Sequence, residues 1–422
     1  MANNASTQGP SGGATIIDRR RFLKQTALAT AVVSVPYLAG KKTVAFGKEG
    51  NTSGQGAKGA DAALDRALKE LVAMEGGPPG VIAVVQRGRH REVHTFGVRN
   101  IKSGLPLRVD DRMRIASAAK AFSGAVALSL VSKGALSLNT TIGELLSEDL
   151  PDPPPDTWSE VTLRQLLNHT SGLPDFTGSG RFQDAVRANP TQPDPPEKLI
   201  TYAYDLNRGD LLFTPGTQYK YSNSDNIVVG LMVEAATGRT YESQLQEQVF
   251  GPLGLRKTSL PVGPNIRKPY IHGYDLSVDP PEDGSKAIAA GWAWASGGIV
   301  STPADINTFI RAYVRGDLFD LQTRSKQRKV IEGGGSEPPG PGKNSAGLAL
   351  FRYETSCGTV WGHTGNIPGG YTQFMAASPD GKRSATVSIN SQLSPPSTGD
   401  QDAFRALRRA EGLAVCAALA GS

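Results

Sequence analysis

The stretch "IASAAKAFSGAVALSLV", residues 115–131, carries one charge, Lys120, in a run of small and apolar side chains. Arg112 to Ile115 before it read as a short strand, and the residues after Ser117 read as a helix that ends at Gly134 and is apolar nearly all round. A helix with no polar face belongs in the centre of a domain. Ser117 falls in its first turn, among backbone N–H groups without intrahelical partners, and Lys120 three residues on lies on the same side. This is the only Ser-x-x-Lys in the chain. Burial disfavours an ammonium, so a lysine placed here can become neutral and take the proton that keeps a serine hydroxyl a poor nucleophile. The N-terminal amides are then available to an oxyanion at that serine. An N-capping serine beside a snorkelling lysine has the same four-residue pattern, so the rest of the chain has to decide.

The chain has 422 residues, 38 % of them hydrophobic, enough for one large domain or two smaller ones. Its formal charge is +6, but residues 1–59 hold eight Lys or Arg against two Asp or Glu, which leaves 37 of each sign in the remainder. The basic character therefore belongs to the leader, and no nucleic-acid partner is implied. That leader has arginines 19 to 21, then an uncharged run from Gln25 to Gly40 interrupted by Pro36. The run is shorter than the roughly 20 residues of a membrane span. It reads as a twin-arginine export signal over residues 1–59, with a small-x-small cleavage pattern at Thr43-Val44-Ala45 and a Gly-rich flexible linker after it. The expected product is secreted or held in the cell envelope, without a stable membrane span after cleavage, and its domain starts near Asp61. Two cysteines, Cys357 and Cys416, can form a disulfide in an exported protein or remain two free thiols. Five scattered histidines show neither a HExxH nor a paired CxxC pattern, so no metal and no cofactor are expected.

Leu64, Leu68, Leu71 and Val72 have helical spacing, and "GVIAVVQRGRHREVHTFGV" reads as a hairpin turning at Gly88. From Ser117 to about Glu282 helical patterns alternate with proline-rich loops. "TVWGHTGNIPGGYTQFMAASPDGKRSATVSIN" (359–390) reads as three strands joined at Gly369-Gly370 and Asp380-Gly381, and residues 401–419 as a closing helix. "EGGGSEPPGPGK" (332–343) is a low-complexity loop before a strand. The fold class is α+β, an antiparallel sheet flanked by helices with a mostly helical subdomain at about 117–282 inserted in a 60–422 domain.

Two further stretches tilt the question about Ser117 toward catalysis. Tyr221-Ser222-Asn223 precedes a helical run, and "GHTG" (362–365) lies in the C-terminal β region. Ser-x-x-Lys, Tyr-x-Asn and His/Lys-Thr-Gly in that order resemble the three motifs of the serine β-lactamase and penicillin-binding family. With "LLNHTSGLPDF" (166–176) and "WAWASGGIVSTPADINTFI" (292–310), the chain looks most like an actinomycete-type D-alanyl-D-alanine carboxypeptidase, with class C β-lactamases next. The resemblance covers about residues 61–419. "SDN" at 224–226 and "HTSG" at 169–172 imitate the second and third motifs, but the first stands too far from Ser117 for its class and the second precedes the tyrosine motif.

The resemblance implies a β-lactamase/transpeptidase-like fold and an acyl-enzyme mechanism. Ser117 is then the nucleophile, Lys120 its base, Tyr221 the proton shuttle, and Asn223 the residue that positions the substrate amide and Lys120. His363 and Thr364 contact substrate, Gly365 and Trp292 line the site, and the N–H groups of Ser117 and Asn366 form the oxyanion hole. The substrate is a small molecule or peptide: a peptidoglycan peptide, an ester or a β-lactam. The alternatives to a carboxypeptidase are an esterase, a β-lactamase or a penicillin-binding sensor. A similarly placed cysteine pair in the carboxypeptidase implies a Cys357–Cys416 bond. One position departs: the family's arginine for the peptide carboxylate follows a Gly-Leu-x-Leu strand, where "GLALFRYETSCG" has Phe351, with Arg352 one residue later and so on the opposite face.

Overall fold

Val81 to Val85 are fully buried, the continuous apolar run of a central strand covered on both faces. They lie in β1 (Gly80–Arg87), and Gly88, at φ +58°, turns the chain into β2 (His90–Asn100). This is the hairpin expected around that glycine. The computed structural model describes residues 53–146, 153–395 and 401–421; the twin-arginine motif and the cleavage pattern lie outside the described residues.

Nine strands form one antiparallel sheet in the order β3 (Leu105–Pro106), β2, β1, β13 (Arg383–Ile389), β12 (Tyr371–Ala377), β11 (Gly358–Ile367), β10 (Phe351–Thr355), β9 (Lys343–Ala346), β8 (Ile331–Glu332). Short ladders join β4 (Met113–Arg114) to β7 (Val300–Ser301) and β5 (Tyr274–Asp275) to β6 (Glu282–Asp283). The three C-terminal strands fall where the glycine connections place them. Alternation along β12 divides the core: Phe374 and Ala376 join the cluster under α1 (Ser53–Ala73) and the C-terminal helix, and Met375 and Ala377 face the helical half.

The helical half is built on α2 (Ala119–Ser132), buried along nearly its whole length. Phe122 stacks on Phe309 of the helix Pro303–Arg315 with ring centroids 3.6 Å apart, a contact whose removal by truncation to alanine costs about 3–5 kcal/mol. Beside α2 runs α3 (Asn223–Thr237). The helices do not stop at 282: Pro303–Arg315 and Leu321–Gln327 follow, the former lying on β12 and β13. At the N-terminal end α1 begins at Ser53, inside the stretch read as linker. Gly56 and Gly59 in its N-terminal part are exposed, and a side chain there would meet nothing, so no apolar stripe announces them.

The closing helix α4 (Gln401–Leu419) packs on α1 and over β13 and β1. Cys416 on this helix is bonded to Cys357 in the β10–β11 turn, with Cα atoms 5.2 Å apart and a sequence separation of 59. Closing a loop of that length restricts the unfolded chain by about 4 kcal/mol in the chain-entropy model. Replacing both cysteines by alanine is expected to lower the unfolding free energy by roughly 2–4 kcal/mol. Denaturant titration of the oxidised protein and the double variant measures this; superimposable curves would show that α4 holds its place by packing alone.

Candidate active site

Ser117 is presented by a strained corner. β4 leads into Ile115, whose N–H donates to the Ile299 carbonyl at 3.1 Å, and Ala116 then adopts φ +49°. That conformation costs a residue with a Cβ about 1–2 kcal/mol. It starts the 3₁₀ turn Ala116–Ala118 that feeds α2. Lys120, one turn on, is fully buried. Its Nζ donates to Ser117 Oγ at 3.0 Å, to Asn223 Oδ1 at 2.7 Å and to the Ser296 carbonyl at 2.7 Å. Burial pushes its pKa down to about 7, against the opposing pull of Asp175, Glu337 and Asp225.

Tyr221 and Asn223 arrive at the start of α3. Asn223 is oriented by Asp175, which accepts from its N–H at 3.1 Å and from its Nδ2 at 2.8 Å, so the amide oxygen is left facing Lys120. The Tyr221 ring lies 5.0 Å from Lys120 Nζ. Its buried hydroxyl makes no well-formed hydrogen bond among the described residues, and Ser117 is the group that approaches it. Burial holds the phenol well above its ordinary pKa of 10, so Tyr221 stays protonated while Lys120 titrates near neutrality. Of the two, Lys120 is the group that can lose its proton near neutral pH.

The third side is β11. A Cβ on Gly365 would stand 2.7 Å from both the Ser117 and Ala118 nitrogens, so only a glycine lets this strand lie against the backbone amides at the serine. Asn366 turns its side chain outward, Nδ2 donating to Ser394 Oγ at 2.7 Å. His363 is buried, with Nδ1 donating to the Thr364 carbonyl at 2.5 Å, and burial pushes it down to about 3. It is neutral, and its Nε2, buried without a partner, is an acceptor. The Thr364 hydroxyl donates to the Pro338 carbonyl. Trp292 is placed elsewhere: its indole meets Phe182 edge-on at 5.7 Å and donates to the Asn189 carbonyl at 3.2 Å. It makes no hydrogen bond or ring contact with the other site residues among those described, because its large apolar ring completes the helical core.

The register of β10 runs without a break against both neighbours, so no bulge turns Arg352 toward the serine. Arg352 pairs instead with Glu332 at 2.6 Å and Glu354 at 3.0 Å. Phe351 is buried, its ring edge-on to His363 at 5.0 Å. Both imitation motifs prove to lie behind Tyr221. His169, at φ +57°, stacks at a tilt on the Tyr221 ring 4.4 Å away, and its Nδ1 is 2.7 Å from Asp225 Oδ2. Ser171 Oγ donates to the other Asp225 oxygen. Burial pushes His169 down to about 3 and Asp225 strongly up. Asp175, Glu337 and Ser296 were not among the expected site residues; only Asp175, as the one charge in "LLNHTSGLPDF", had a signal there. Away from the site Asp61, Glu92 and His94 approach one another, but Arg87 donates to both carboxylates, and this guanidinium already supplies the positive charge.

The Beta-lactamase family model matches residues 64–410. A D-aminopeptidase of Brucella anthropi is 28 % identical over 198 residues, 47 % of this chain and 36 % of that protein. The D-alanyl-D-alanine-carboxypeptidase/endopeptidase AmpH of Escherichia coli (strain K12) is 26 % identical over 255 residues, 60 % of this chain and 62 % of the relative. The chain thus spans less than two thirds of the length of these curated relatives. Among solved structures, a D-stereospecific amidohydrolase from Streptomyces sp. superimposes with a TM-score of 0.68 at 28 % identity, covering 82 % of this chain and 97 % of that one.

The geometry makes the following outcomes measurable. Covalent labelling by a fluorophosphonate should be absent in Ser117→Ala and slowed about 10²–10⁴-fold in Lys120→Ala. In the unmodified protein its rate should climb as pH rises through about 7, where Lys120 loses its proton, and then level off. A flat profile would exclude Lys120 as the base. Gly365→Ala should slow labelling at least tenfold, because the added Cβ displaces the strand or the amides it faces.

Proposed function

We infer the reaction of this protein from one premise, that the chain belongs to the Beta-lactamase family of serine hydrolases. Ser117 attacks a carbonyl carbon while its proton passes to neutral Lys120. The oxygen that becomes negative is held by the N–H groups of Ser117 and Asn366. Tyr221, protonated and close to Ser117, relays the proton to the leaving nitrogen or oxygen as the C–N or C–O bond breaks. Water then enters along the same proton path, cleaves the Ser117 ester and releases the acid. Asn223, fixed by Asp175, holds Lys120 in place through both halves of the cycle.

The substrate is an amide or ester of a D-amino acid or short D-peptide whose leaving group lacks a free carboxylate. The single observation that carries this reading is the identity of the groups a carboxylate would have to meet: Phe351 is apolar, His363 is neutral and offers a lone pair, and the Thr364 hydroxyl already donates its hydrogen bond to the Pro338 carbonyl. A missing charge-assisted hydrogen bond lowers affinity for the carboxylate by roughly tenfold to a hundredfold. The D configuration is supported by the D-aminopeptidase and the D-stereospecific amidohydrolase among the similar proteins. Export is supported by the Cys357–Cys416 disulfide, a bond that persists in oxidising compartments, and no helix among the described residues is long and apolar enough to cross a membrane.

The test is a panel of D-alanine amide, a D-alanine ester, D-alanyl-D-alanine and a chromogenic cephalosporin. The amide and ester should be turned over at least as well as the dipeptide, and Phe351→Arg should improve the dipeptide. Strong release of D-alanine from the dipeptide by the unmodified enzyme, lost on Arg352→Ala, would overturn the assignment of the leaving-group side.

A further inference from the structure

The loop that crosses the site between β8 and β9 is tied down residue by residue. Tyr219 donates its hydroxyl to the Gly335 carbonyl at 2.6 Å, and Ser336 Oγ lies 3.0 Å from the Tyr353 hydroxyl. Thr364 donates to Pro338, and Arg408 of α4 donates to Pro339. Between these anchors stands Glu337, whose carboxylate makes no hydrogen bond or ion pair with any described residue. The loop therefore fixes the acid next to the residue that holds Thr364, with no direct ion pair to its carboxylate among the described residues and with Lys120 and Lys220 as the cations that act on it.

We propose that Glu337 is a specificity residue that sorts substrates by the charge of the leaving group, rejecting a free carboxylate and admitting uncharged or cationic groups. The inference rests on the serine-hydrolase reading above and adds a repulsive element to the missing attractive ones. Discrimination by an opposed charge is a standard route to specificity where the attractive contacts alone leave a competitor weakly bound. Glu337 reaches the right place for it. Its neighbour Pro338 occupies the Thr364 hydroxyl, and Glu337 itself acts on Lys120 and Tyr221, the base and the proton relay. An anionic leaving group entering between Thr364 and Tyr221 brings a second negative charge against it. An ammonium there would find a partner.

Burial and the nearby Asp175 push Glu337 up to about 7, with Lys120 and Lys220 pulling the other way. Tyr219 and Tyr221, which also face it, are held protonated by burial, and His363 behind Thr364 is held neutral. The charge of Glu337 thus grows as pH rises through neutrality, and the discrimination grows with it.

The experiment compares three D-alanyl anilides that differ only at the para position: carboxylate, hydrogen and aminomethyl. With the unmodified enzyme the ratio of kcat/KM for the carboxylate to that for the unsubstituted anilide should fall by roughly tenfold between about pH 6 and pH 8. The aminomethyl compound should move the opposite way. Glu337→Gln should raise the carboxylate ratio about tenfold at pH 8 and flatten its pH dependence. An active Glu337→Gln enzyme with unchanged ratios would overturn the proposal. So would a pH-independent ratio in the unmodified enzyme, which decides the matter if the variant does not fold. Failure of the serine-hydrolase reading looks different: no anilide is cleaved whatever its charge, or Ser117→Ala cleaves all three, and the proposal falls with it.

Discussion

The amine of Lys120 is fully buried and held by three acceptors, and much that is distinctive about the site follows from the cost of keeping it there. A buried ammonium is disfavoured by desolvation, yet Ser117, Asn223 and Ser296 all accept from it. The balance leaves the group near the point of losing its proton at neutral pH. To achieve this the chain needs a helix apolar enough to exclude solvent, which is why α2 has no polar face. It also needs acceptors from three separate segments of the chain. The sheet and the helical half meet at the one place where all these requirements are satisfied together.

Much of this was legible beforehand. The Gly88 hairpin, the three C-terminal strands and the helix over 401–419 are carried by local signals: alternation, glycine connections and 3.6-residue spacing. The motif residues Ser117, Lys120, Tyr221 and Asn223 meet at one point, and the strand of His363, Thr364, Gly365 and Asn366 lies against the Ser117 amide through Gly365. Trp292 did not follow, since its neighbourhood in sequence resembles the family while its ring serves the core of the helical half. The start of α1 at Ser53 was hidden by glycines on a solvent-facing turn, and the helices after 282 by the choice of a boundary where the proline-rich loops end.

What the sequence could not disclose is charge in irregular segments. Glu337 lies in a stretch of glycines and prolines with no periodicity, and its position is set by anchors to its neighbours from residues distant in the chain. His169 and Asp225 showed the opposite difficulty. They sit in tripeptides and tetrapeptides that imitate catalytic motifs, and the structure places them one layer behind, where they pack against and support the tyrosine.

The approach of β11 to the amides of Ser117 and Ala118 limits what can vary around them. Because Gly365 has no side chain, the strand and the serine corner meet backbone to backbone. Phe351, Glu337 and Asp175 are side chains on other strands and loops around it. Asp175 and Glu337 also act on Lys120, so a substitution at either reaches the amine beside the serine as well as the space around it. A lineage built on this corner therefore has its freest drift at Phe351, whose replacement leaves the hydrogen bonds of Lys120 in place.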